Sequence, residues 1–493
     1  MTSVVEGLVR RAPVRLYADR SRVITRLFVP GQEGFEAQES RAGAVLDRIL
    51  ALDEDAVRAA LSDVVVRFDH RHRDLAGVFR RHARELADRL KPGVELSDAR
   101  TLLLGATFTS EYTVEGAALC NPSMVAHPDQ SGVPAGSLRF VMSVRGIGEG
   151  HLSSIGFRTG IVDDRGQVDV DPAVPFATVG TPAPTLLDAA VLRSELARLG
   201  HAGEAAGYVL DSLGARFTRM DLDERLERLR QNRRTRVHAP ETIAVITTVA
   251  SRSHGIEFPY ETALSERILW PATEAEAAGV EDARFVRFVE DDGSATYYAT
   301  YTAYSGSHIS QQLLTTSDFR CFTSVPMVGP AAANKGLALF PRRVHGRFAG
   351  MSRSDRESNT VAFADHPSVW TGTTPCQRPA LPWEVLQLGN CGAPIETDAG
   401  WLVLTHGVGP MRTYAIGAIL LDLDDPTRMI GRLSEPLLYP TRDEQDGYVP
   451  NVVYSCGAMV HADNLVIPYG ISDGAIGFAI APLGALLALL RST

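Results

Sequence analysis

The chain has 493 residues, which is more than one hydrophobic core usually serves, so we expect more than one structural unit. Its hydrophobic fraction of 45% and charged fraction of 22% are ordinary for a soluble globular protein. The net charge of -10 argues against a nucleic-acid-binding protein, which would show a basic face. The one dense basic run, "RQNRRTR" from Arg230 to Arg236, is explained more simply as a solvated helix end.

The cysteine pattern and the N-terminal residues favour a cytoplasmic protein without a metal or another cofactor. No C-x-x-C pair occurs, and the odd number of cysteines favours reduced thiols over a disulfide framework or a zinc site. The N-terminal residues lack an apolar core with a cleavage site, and no stretch is long and apolar enough to span a bilayer. The five cysteines are Cys120, Cys321, Cys376, Cys391 and Cys456.

The first hundred residues are predicted to be helical. Apolar residues recur at three- and four-residue steps, with arginines and acids between them, in the runs Leu46 to Leu50, Val57 to Phe68 and Leu75 to Leu90. The pattern stops at "LKPG", which is typical of a helix end. We therefore expect an N-terminal helical extension over residues 1–100, made of about three helices.

A second helical block is predicted over residues 185–235. It contains "LLDAAVLRSELARLG" and "DLDERLERLRQ", in which apolar residues again recur at helical spacing. Since strand patterns precede and follow it, we interpret this block as a helical insertion.

A repeated pattern of strand pairs occupies residues 101–184 and 236–493. Five times, a short apolar stretch and a polar turn lead into a strand rich in aromatic and β-branched residues. This repeat predicts a mainly β fold, a five-bladed β-propeller with blade one over 101–184 and the insertion between blades one and two. The five second strands are "GSLRFVMSVRG", "TYYATYTAYSG", "GRFAGMSRS", "GWLVLTHGV" and "NLVIPYGISDG".

Polar side chains end these five second strands. In a propeller the innermost strands line a central channel, so we expect their ends to meet in one pocket. A single such residue usually makes a structural hydrogen bond, whereas five at equivalent positions favour a polar pocket that suits a sugar. The five residues are Arg145, Tyr304, Arg353, His406 and Asp473.

The segment "AGVEDARF" places two acids at the start of a predicted strand. Glu281 and Asp282 are adjacent and Arg284 follows them. Neighbouring residues on a strand point to opposite faces, so we expect only one of the two acids to face the channel. On these three residues alone, a salt bridge to Arg284 at the strand end is the simpler interpretation.

An ordered series of motifs carries a resemblance to a known family. "GVEDARF", "YYATYTAYS", "NKGLALFP", "GWLVLTHGV", "LLDLDDP", "GYVPNVVYSCG" and "YGISD" follow one another along the chain. From about Asn121 to the C-terminus, apart from the insertion, the chain resembles the mannoside phosphorylases and β-mannosidases of glycoside hydrolase family 130. The resemblance implies a five-bladed propeller and inverting cleavage of β-mannosides, by phosphate in most members and by water in some.

The resemblance also implies roles for individual residues. Asp282 matches the general acid, which is thought to act through a sugar hydroxyl that relays the proton, and Ala283 stands where the family motif has proline. Lys335 and His406 match two phosphate-binding positions, and Gln387 stands where a third, a lysine, is usual. Lys335 is one of only two lysines in the chain. We expect the sugar to contact Asn121, Arg145, Glu281, Arg284, Tyr304, Arg353 and Asp473.

Phosphorolysis and hydrolysis make different demands on such a site. Phosphate is already a nucleophile and needs only cations to hold it beside the anomeric carbon, and Lys335, His406 and Arg353 are candidates. Inverting hydrolysis needs a second carboxylate about 6.5–9.5 Å from the acid to activate water. Candidates for that second carboxylate are Glu149, Asp355 and Glu357.

We therefore expect an inverting enzyme that cleaves β-mannosidic linkages by phosphorolysis, releases mannose 1-phosphate and also runs in the synthetic direction. Inorganic phosphate is the co-substrate, and no nucleic acid or membrane partner is expected. Hydrolysis or mannosyl transfer in the same site, or a non-catalytic sugar-binding propeller, are the alternatives. The extra helices either cover the channel mouth and select short substrates or form the interface of a homo-oligomer.

Overall fold

A computed structural model describes residues 7–30, 41–231 and 239–492 of the chain. The basic run predicted as a helix end lies outside the described residues from Asn232 onward. The chain divides into two compact units. The small unit comprises Asp19–Gly116 and Val174–Thr178, and the large unit comprises Met1–Ala18, Ala117–Ala173 and Val179–Thr493.

Helices lie in both units. The helices of the described residues are α1 (Arg41–Ala51), α2 (Glu54–Phe68), α3 (Leu75–Glu85), α4 (Asp98–Thr107), α5 (Ala189–Arg198), α6 (Glu204–Leu210), α7 (Arg219–Gln231), α8 (Ala239–Ala250) and α9 (Leu483–Arg491). None of these described helices has the length and hydropathy required to cross a membrane.

Strands make up most of the regular structure. The strands up to residue 326 are β1 (Arg10–Tyr17), β2 (Val23–Leu27), β3 (Thr109–Thr113), β4 (Ala118–Ala126), β5 (Leu138–Ile147), β6 (Ser153–Val162), β7 (Val168–Val170), β8 (Thr178–Val179), β9 (Thr181–Ala183), β10 (Leu187–Asp188), β11 (Arg216–Phe217), β12 (His254–Glu257), β13 (Arg267–Ile268), β14 (Gly279–Val289), β15 (Ala295–Tyr304), β16 (Ile309–Thr316) and β17 (Cys321–Pro326). The later strands are β18 (Ala338–Leu339), β19 (Phe348–Ser352), β20 (Asn359–Ala364), β21 (Thr373–Gln377), β22 (Gln387–Asn390), β23 (Ile395–Thr397), β24 (Gly400–Val408), β25 (Tyr414–Leu421), β26 (Met429–Arg432), β27 (Val453–Tyr454), β28 (Met459–His461), β29 (Asn464–Ile471) and β30 (Ala475–Pro482).

The small unit packs α1 to α4 with the antiparallel pair β2 and β3. The three predicted helical runs are confirmed, and a fourth helix follows the "LKPG" stop. Side chains of Asp53, Asp74 and Ser97 accept hydrogen bonds from backbone N–H groups at the starts of α2, α3 and α4, which satisfies donors that a helix end leaves open. The core of the unit includes Leu46, Leu86, Leu104 and Phe108.

The sequence pattern predicts helices throughout the first hundred residues, and the structure differs because part of this segment is strand. Residues 10–17 and 23–27 are strands, and β1 pairs with β30 near the other end of the chain. A strand whose partner lies so far away in sequence leaves little local signal. The division of the chain at residues 100, 184 and 235 stays a prediction.

The large unit contains five groups of antiparallel strands. Each of the five predicted hairpins is confirmed by its strand pairing. A parallel bridge between Ser153 and Gly279 joins the first two groups in one ten-stranded sheet, and in the described part of the chain every sheet is open. We refer to these as group one (β4–β7), group two (β14–β17), group three (β18–β21), group four (β22–β26) and group five (β27–β30 with β1).

Buried side chains pack between the groups rather than within one sheet alone. Burying one large apolar side chain contributes roughly 1.5–3 kcal/mol, so these shared cores account for much of the association of the groups. Pairs that share one core are Phe157 with Phe285 between groups one and two, Phe288 with Phe348 between two and three, Phe340 with Trp401 between three and four, Leu404 with Leu465 between four and five, and Phe478 with Phe140 between five and one.

A fourth helix, α8, packs against the three helices of the predicted insertion. Helices α5 to α7 lie within the expected residues 185–235, but α8 continues the helical core to Ala250. Its sequence "APETIAVITTVA" is rich in β-branched residues, which favour strands. Packing of Ile246 and Val249 against Leu192 and Leu226 overrides that local preference.

Candidate active site

A backbone irregularity brings Glu281 and Asp282 to the same side of their strand. The pairing of β14 with β15 shifts register between Glu281 and Arg284, and Asp282 has a left-handed φ of 54°. A β-bulge of this kind re-aims side chains. The expectation that only one of the two acids faces the site is therefore wrong, because strict alternation does not hold at the bulge.

Two cations meet these acids. The Nη2 atom of Arg145 lies 2.7 Å from Glu281 Oε1, and Nζ of Lys335 lies 3.7 Å from Glu281 Oε2 and 3.9 Å from Asp282 Oδ2. Asp282 is only 5% exposed. Burial acts to raise the pKa of Asp282, but Lys335, Arg284 and Arg145 hold that pKa below its usual value. Asp282 is therefore ionised at neutral pH in this arrangement of charges.

Arg284 supports the bulge instead of pairing with either carboxylate. Its Nη1 donates to the backbone carbonyl oxygen of Asp282 at 3.0 Å, and its Nη2 donates to the Tyr454 hydroxyl at 2.7 Å. The simple interpretation of a strand-end salt bridge is wrong for this reason. Arg284 is 3% exposed, and this buried guanidinium fixes the backbone from which Asp282 projects.

His406 is buried and electrically neutral. Its Nδ1 lies 3.1 Å from the carbonyl oxygen of Asn390, so Nδ1 carries the proton, and Nε2 faces Nη1 of Arg353 at 3.3 Å as acceptor. Burial, Arg353 and Arg284 together lower the pKa of His406 well below its usual value. His406 is therefore not the cation that its residue type suggested, and its ring orients Arg353.

Glycine at position 389 makes this contact between His406 and Arg353 possible. A Cβ atom on Gly389 would lie 2.6 Å from His406 Cε1 and 2.9 Å from Arg353 Cδ, closer than side chains tolerate. Gln387 lies two residues earlier on β22, so its side chain is on the same face of the strand as Gly389. Gln387 is thus on the side of the sheet that holds His406 and Arg353.

Asparagine side chains join this group to Lys335. Asn390 donates from Nδ2 to the carbonyl oxygen of Gly336 at 2.6 Å, and Asn334 donates from Nδ2 to that of Arg353 at 3.3 Å. The loop that carries Lys335 is therefore held to β22, which pairs with the strand of His406, and to Arg353 just after β19.

Asn121 and Asp473 lie beside the acids on irregular backbone. Asn121 (φ 48°) is in a bulge of β4, where its neighbour Cys120 pairs with Arg145, and Asp473 has φ 52°. Burial raises the pKa of Asp473 to about 6; Arg145 opposes the rise and Asp282 adds to it. Asp473 is therefore close enough to Asp282 to share its electrostatic surroundings, and Asn121 follows the residue that pairs with Arg145.

Four predicted residues do not join this group. The Tyr304 hydroxyl donates to the carbonyl oxygen of Gly306 in its own turn. Asp355 is exposed and accepts backbone N–H bonds from Glu357 and Ser358, so its carboxylate holds a turn. Glu149 and Glu357 are also exposed. None of the three candidate bases has the buried position of Asp282.

Four further residues belong to this site although no sequence pattern selected them: Tyr454, Asn390, Asn334 and Ser123. Tyr454 packs its ring 4.9 Å from that of His406, and Ser123 Oγ accepts from the backbone N–H of Phe285 next to the bulge. The motifs "GYVPNVVYSCG" and "NKGLALFP" contain Tyr454 and Asn334, but the hydrogen-bond partners of these two residues, Arg284 and Arg353, lie outside those motifs. Polar side chains inside otherwise apolar motifs were the available signal.

Asp473→Asn is expected to remove a pH-dependent loss of stability. The folded chain keeps a proton on Asp473 up to about pH 6, whereas the unfolded value is 3.8, so stability falls as the pH rises through this interval. The free energy of unfolding of the wild type falls by up to about 3 kcal/mol for this reason, and that of the variant does not. Asparagine tolerates the left-handed backbone at this position. Thermal unfolding at about pH 4 and about pH 8 measures it: the gain in Tm should be larger at the higher pH, and an equal gain at both would contradict this account.

The sequence of this chain is similar to those of known phosphorylases. A family model described as beta-1,4-mannooligosaccharide phosphorylase matches residues 233–492. The 1,2-beta-oligomannan phosphorylase of Thermoanaerobacter sp. (strain X514) is 33% identical over 222 residues, 44% of this chain and 73% of that protein. The beta-1,2-mannobiose phosphorylase of Listeria innocua is 31% identical over 218 residues, 42% of this chain and 58% of that protein.

Among solved structures, the beta-1,2-mannobiose phosphorylase from Listeria innocua, in complex with beta-1,2-mannobiose, is similar with a TM-score of 0.45 and 18% identity. The match covers 78% of this chain and 94% of that one. Since the family model spans more than half of the sequence, the chain belongs to glycoside hydrolase family 130, the family of mannoside phosphorylases, and is a glycoside phosphorylase.

Proposed function

We propose that the protein cleaves β-mannosidic linkages by inverting phosphorolysis, releases mannose 1-phosphate and runs also in the synthetic direction. The observation that carries the proposal is the position of Lys335, whose Nζ lies 3.9 Å from the Asp282 carboxylate. A cation beside the acid is what phosphate needs to approach the anomeric carbon. The relatives are phosphorylases of β-mannosides by name, and this supports the phosphorolytic part of the proposal.

In the proposed reaction, a phosphate oxygen forms a bond to the anomeric carbon as the bond from that carbon to the leaving oxygen breaks. Asp282 supplies the proton, relayed by a sugar hydroxyl, to the leaving oxygen. Arg353, whose buried Nε has no hydrogen-bond partner among the described residues, and Lys335 hold the phosphate. Neutral His406 orients Arg353, and Gln387 offers an amide on the same face.

The charge on Asp282 explains how phosphate and proton act together. A general acid must be protonated, yet Lys335, Arg284 and Arg145 favour the ionised form of Asp282. Phosphate bound to Lys335 would offset this cation and add negative charge nearby, and both effects raise the pKa of Asp282. Phosphate binding would thus favour the protonated form of Asp282, and this proton is the one that passes to the leaving oxygen.

We assign the mannosyl unit to the other side of the acids, with Arg145, Glu281, Asn121 and Asp473 as hydrogen-bonding partners. The ion pair between Arg145 and Glu281 orients both side chains, and Arg145 Nε is buried without a hydrogen-bond partner in the described chain. Arg284 acts as a positioning residue in this proposal. Tyr304 has no assigned role, since its hydroxyl is used within its own turn.

We infer that groups one to five are the blades of a five-bladed propeller. The shared cores run from one to two, two to three, three to four, four to five and five to one, an order that returns to its start. Each group also supplies one residue of the candidate active site. These are Arg145, Asp282, Arg353, His406 and Asp473, in group order.

The proposal includes a cytoplasmic location and phosphate as the only co-substrate, with no metal. Hydrolysis is the second candidate, because Gln387 and His406 are neutral where a phosphate site would gain from cations. Initial rates with β-1,2- and β-1,4-mannobiose, measured over a range of phosphate concentrations, test the choice. Phosphorolysis predicts a saturable dependence on phosphate, and a rate independent of phosphate would reject it.

Gln387→Lys is expected to lower the KM for phosphate, because it adds a cation on the face that holds Arg353 and His406. A hydrogen bond to a charged group is worth about 1.5–3 kcal/mol, so the change is roughly tenfold or more if the longer side chain fits. Gln387→Met, which is similar in length and uncharged, is the control. A KM for phosphate that is equal in the two variants would contradict this placement of Gln387.

A further inference from the structure

A cavity of about 630 Å³ lies between the helical insertion and group two. This volume falls within the range of small-molecule binding sites. The insertion contributes Glu195 and Arg198 from α5, Thr248 from α8, and Arg252 just after it. The opposite wall is formed by β16 and by the loop that runs from Met327 to Asn334.

The cavity and the acids share one loop. Asn334 lines the cavity, and the next residue is Lys335, which contacts Asp282. Gln311, 3% exposed, also lines the cavity; its Nε2 donates to the carbonyl oxygen of Ala332 and its Oε1 accepts from the N–H of Leu337, both at 3.0 Å. One buried amide thus holds both ends of the segment that carries Lys335 and at the same time forms a cavity wall.

The chemistry of the lining fits a neutral polyol better than an anion. Arg198 donates two hydrogen bonds of 2.8 Å to Glu195, which balances its charge, and the lining also contains one further acid, Glu274, and one further arginine, Arg252. Ile309, Met327 and Val328 offer an apolar surface of the kind that packs against the C–H faces of sugars. His308 lines the cavity as well, and the hydroxyl and amide side chains of the lining are Thr248, Ser251, Ser305, Ser310, Gln311 and Asn334.

We propose that this cavity binds the acceptor side of the substrate, meaning the sugar units that leave with the oxygen of the cleaved bond. The helical insertion then contributes to substrate specificity, because Thr248 and Arg252 contact the acceptor sugar. This inference rests on the proposed function for the identity of the ligand. Its geometry stands on the loop that the cavity shares with Lys335.

Thr248→Trp tests the inference, because Thr248 is exposed and a large side chain there occupies the cavity without entering the core. The matched control is Glu241→Trp, also exposed, two turns earlier on α8 and not part of the lining. Arg252→Gln is a second variant that removes one donor group and keeps the backbone. Circular dichroism and thermal melting confirm that each variant folds.

Two measurements are made on the full chain, calorimetric titration with β-1,2- and β-1,4-mannobiose, and the KM for mannose as acceptor with mannose 1-phosphate as donor. Thr248→Trp should weaken both by about tenfold or more, Arg252→Gln by less, and neither should change the KM for mannose 1-phosphate. Values for Thr248→Trp equal to those of Glu241→Trp would overturn the inference, with the wild-type turnover still supporting the proposed function. A wild type that binds these sugars but does not turn them over with phosphate would reject the proposed function instead, and the titrations would still decide the cavity.

Discussion

Asp282→Asn should lower the turnover number about 10²–10⁴-fold, the usual contribution of general acid catalysis. The amide keeps the shape of the carboxyl group but has no acidic proton, and asparagine accepts the φ of 54° at this bulge. Binding of β-mannobiose should change little, because Arg145 and Glu281 remain paired. Steady-state kinetics and a binding titration on the same preparation separate the two effects.

A second substrate and a control variant test whether Asp282 acts as the general acid. An aryl mannoside with a good leaving group needs little protonation, so it should lose much less rate in Asp282→Asn than mannobiose does. Glu149→Gln, which changes an exposed carboxylate, should keep the wild-type rate with phosphate. If Asp282→Asn cleaves mannobiose at nearly the wild-type rate, Asp282 is not the acid.

Lys335→Ala should raise the KM for phosphate about ten- to a hundredfold, since it removes a charge-assisted hydrogen bond to the anion. The variant should also move the falling limb of the pH–rate profile to higher pH. Lys335 lowers the pKa of Asp282, so without this cation the acid stays protonated to a higher pH. Phosphate kinetics over a range of pH measure both effects.

Lys91→Ala is the control for Lys335→Ala, because Lys91 is the only other lysine and its side chain is 81% exposed. It should leave the KM for phosphate and the pH profile unchanged. An unchanged KM for phosphate in Lys335→Ala would remove Lys335 from the phosphate site. A shift of the pH profile alone would leave it only the role of an ion-pair partner of Asp282.

The sequence was most informative where a pattern repeats. The apolar stretch, the polar turn and the aromatic and β-branched strand of each hairpin are local features, so the strand pairing could be predicted, and the polar ends of the second strands followed from it. Arg145, Arg353, His406 and Asp473 could be selected in this way without any knowledge of their contacts. Tyr304 occupies the same repeat position, but its hydroxyl reaches a carbonyl oxygen in its own turn first.

Other features depend on contacts that no local pattern contains. The extra residue at Asp282 breaks the alternation on which strand reasoning relies, and it is held by Arg284 together with Tyr454, 170 residues later. The neutral state of His406 results from burial and from Arg353, so residue type alone suggested a cation. Strand β1 finds its partner β30 at the far end of the sequence.

In the proposed reaction phosphate, and not water, receives the mannosyl group. Phosphorus-31 NMR of the wild-type protein with β-mannobiose and inorganic phosphate observes this transfer directly. The account predicts a growing signal of α-mannose 1-phosphate, the inverted anomer, with one free mannose released for each phosphate consumed. Release of two mannose molecules per mannobiose with an unchanged phosphate signal would contradict the account and assign the site to hydrolysis.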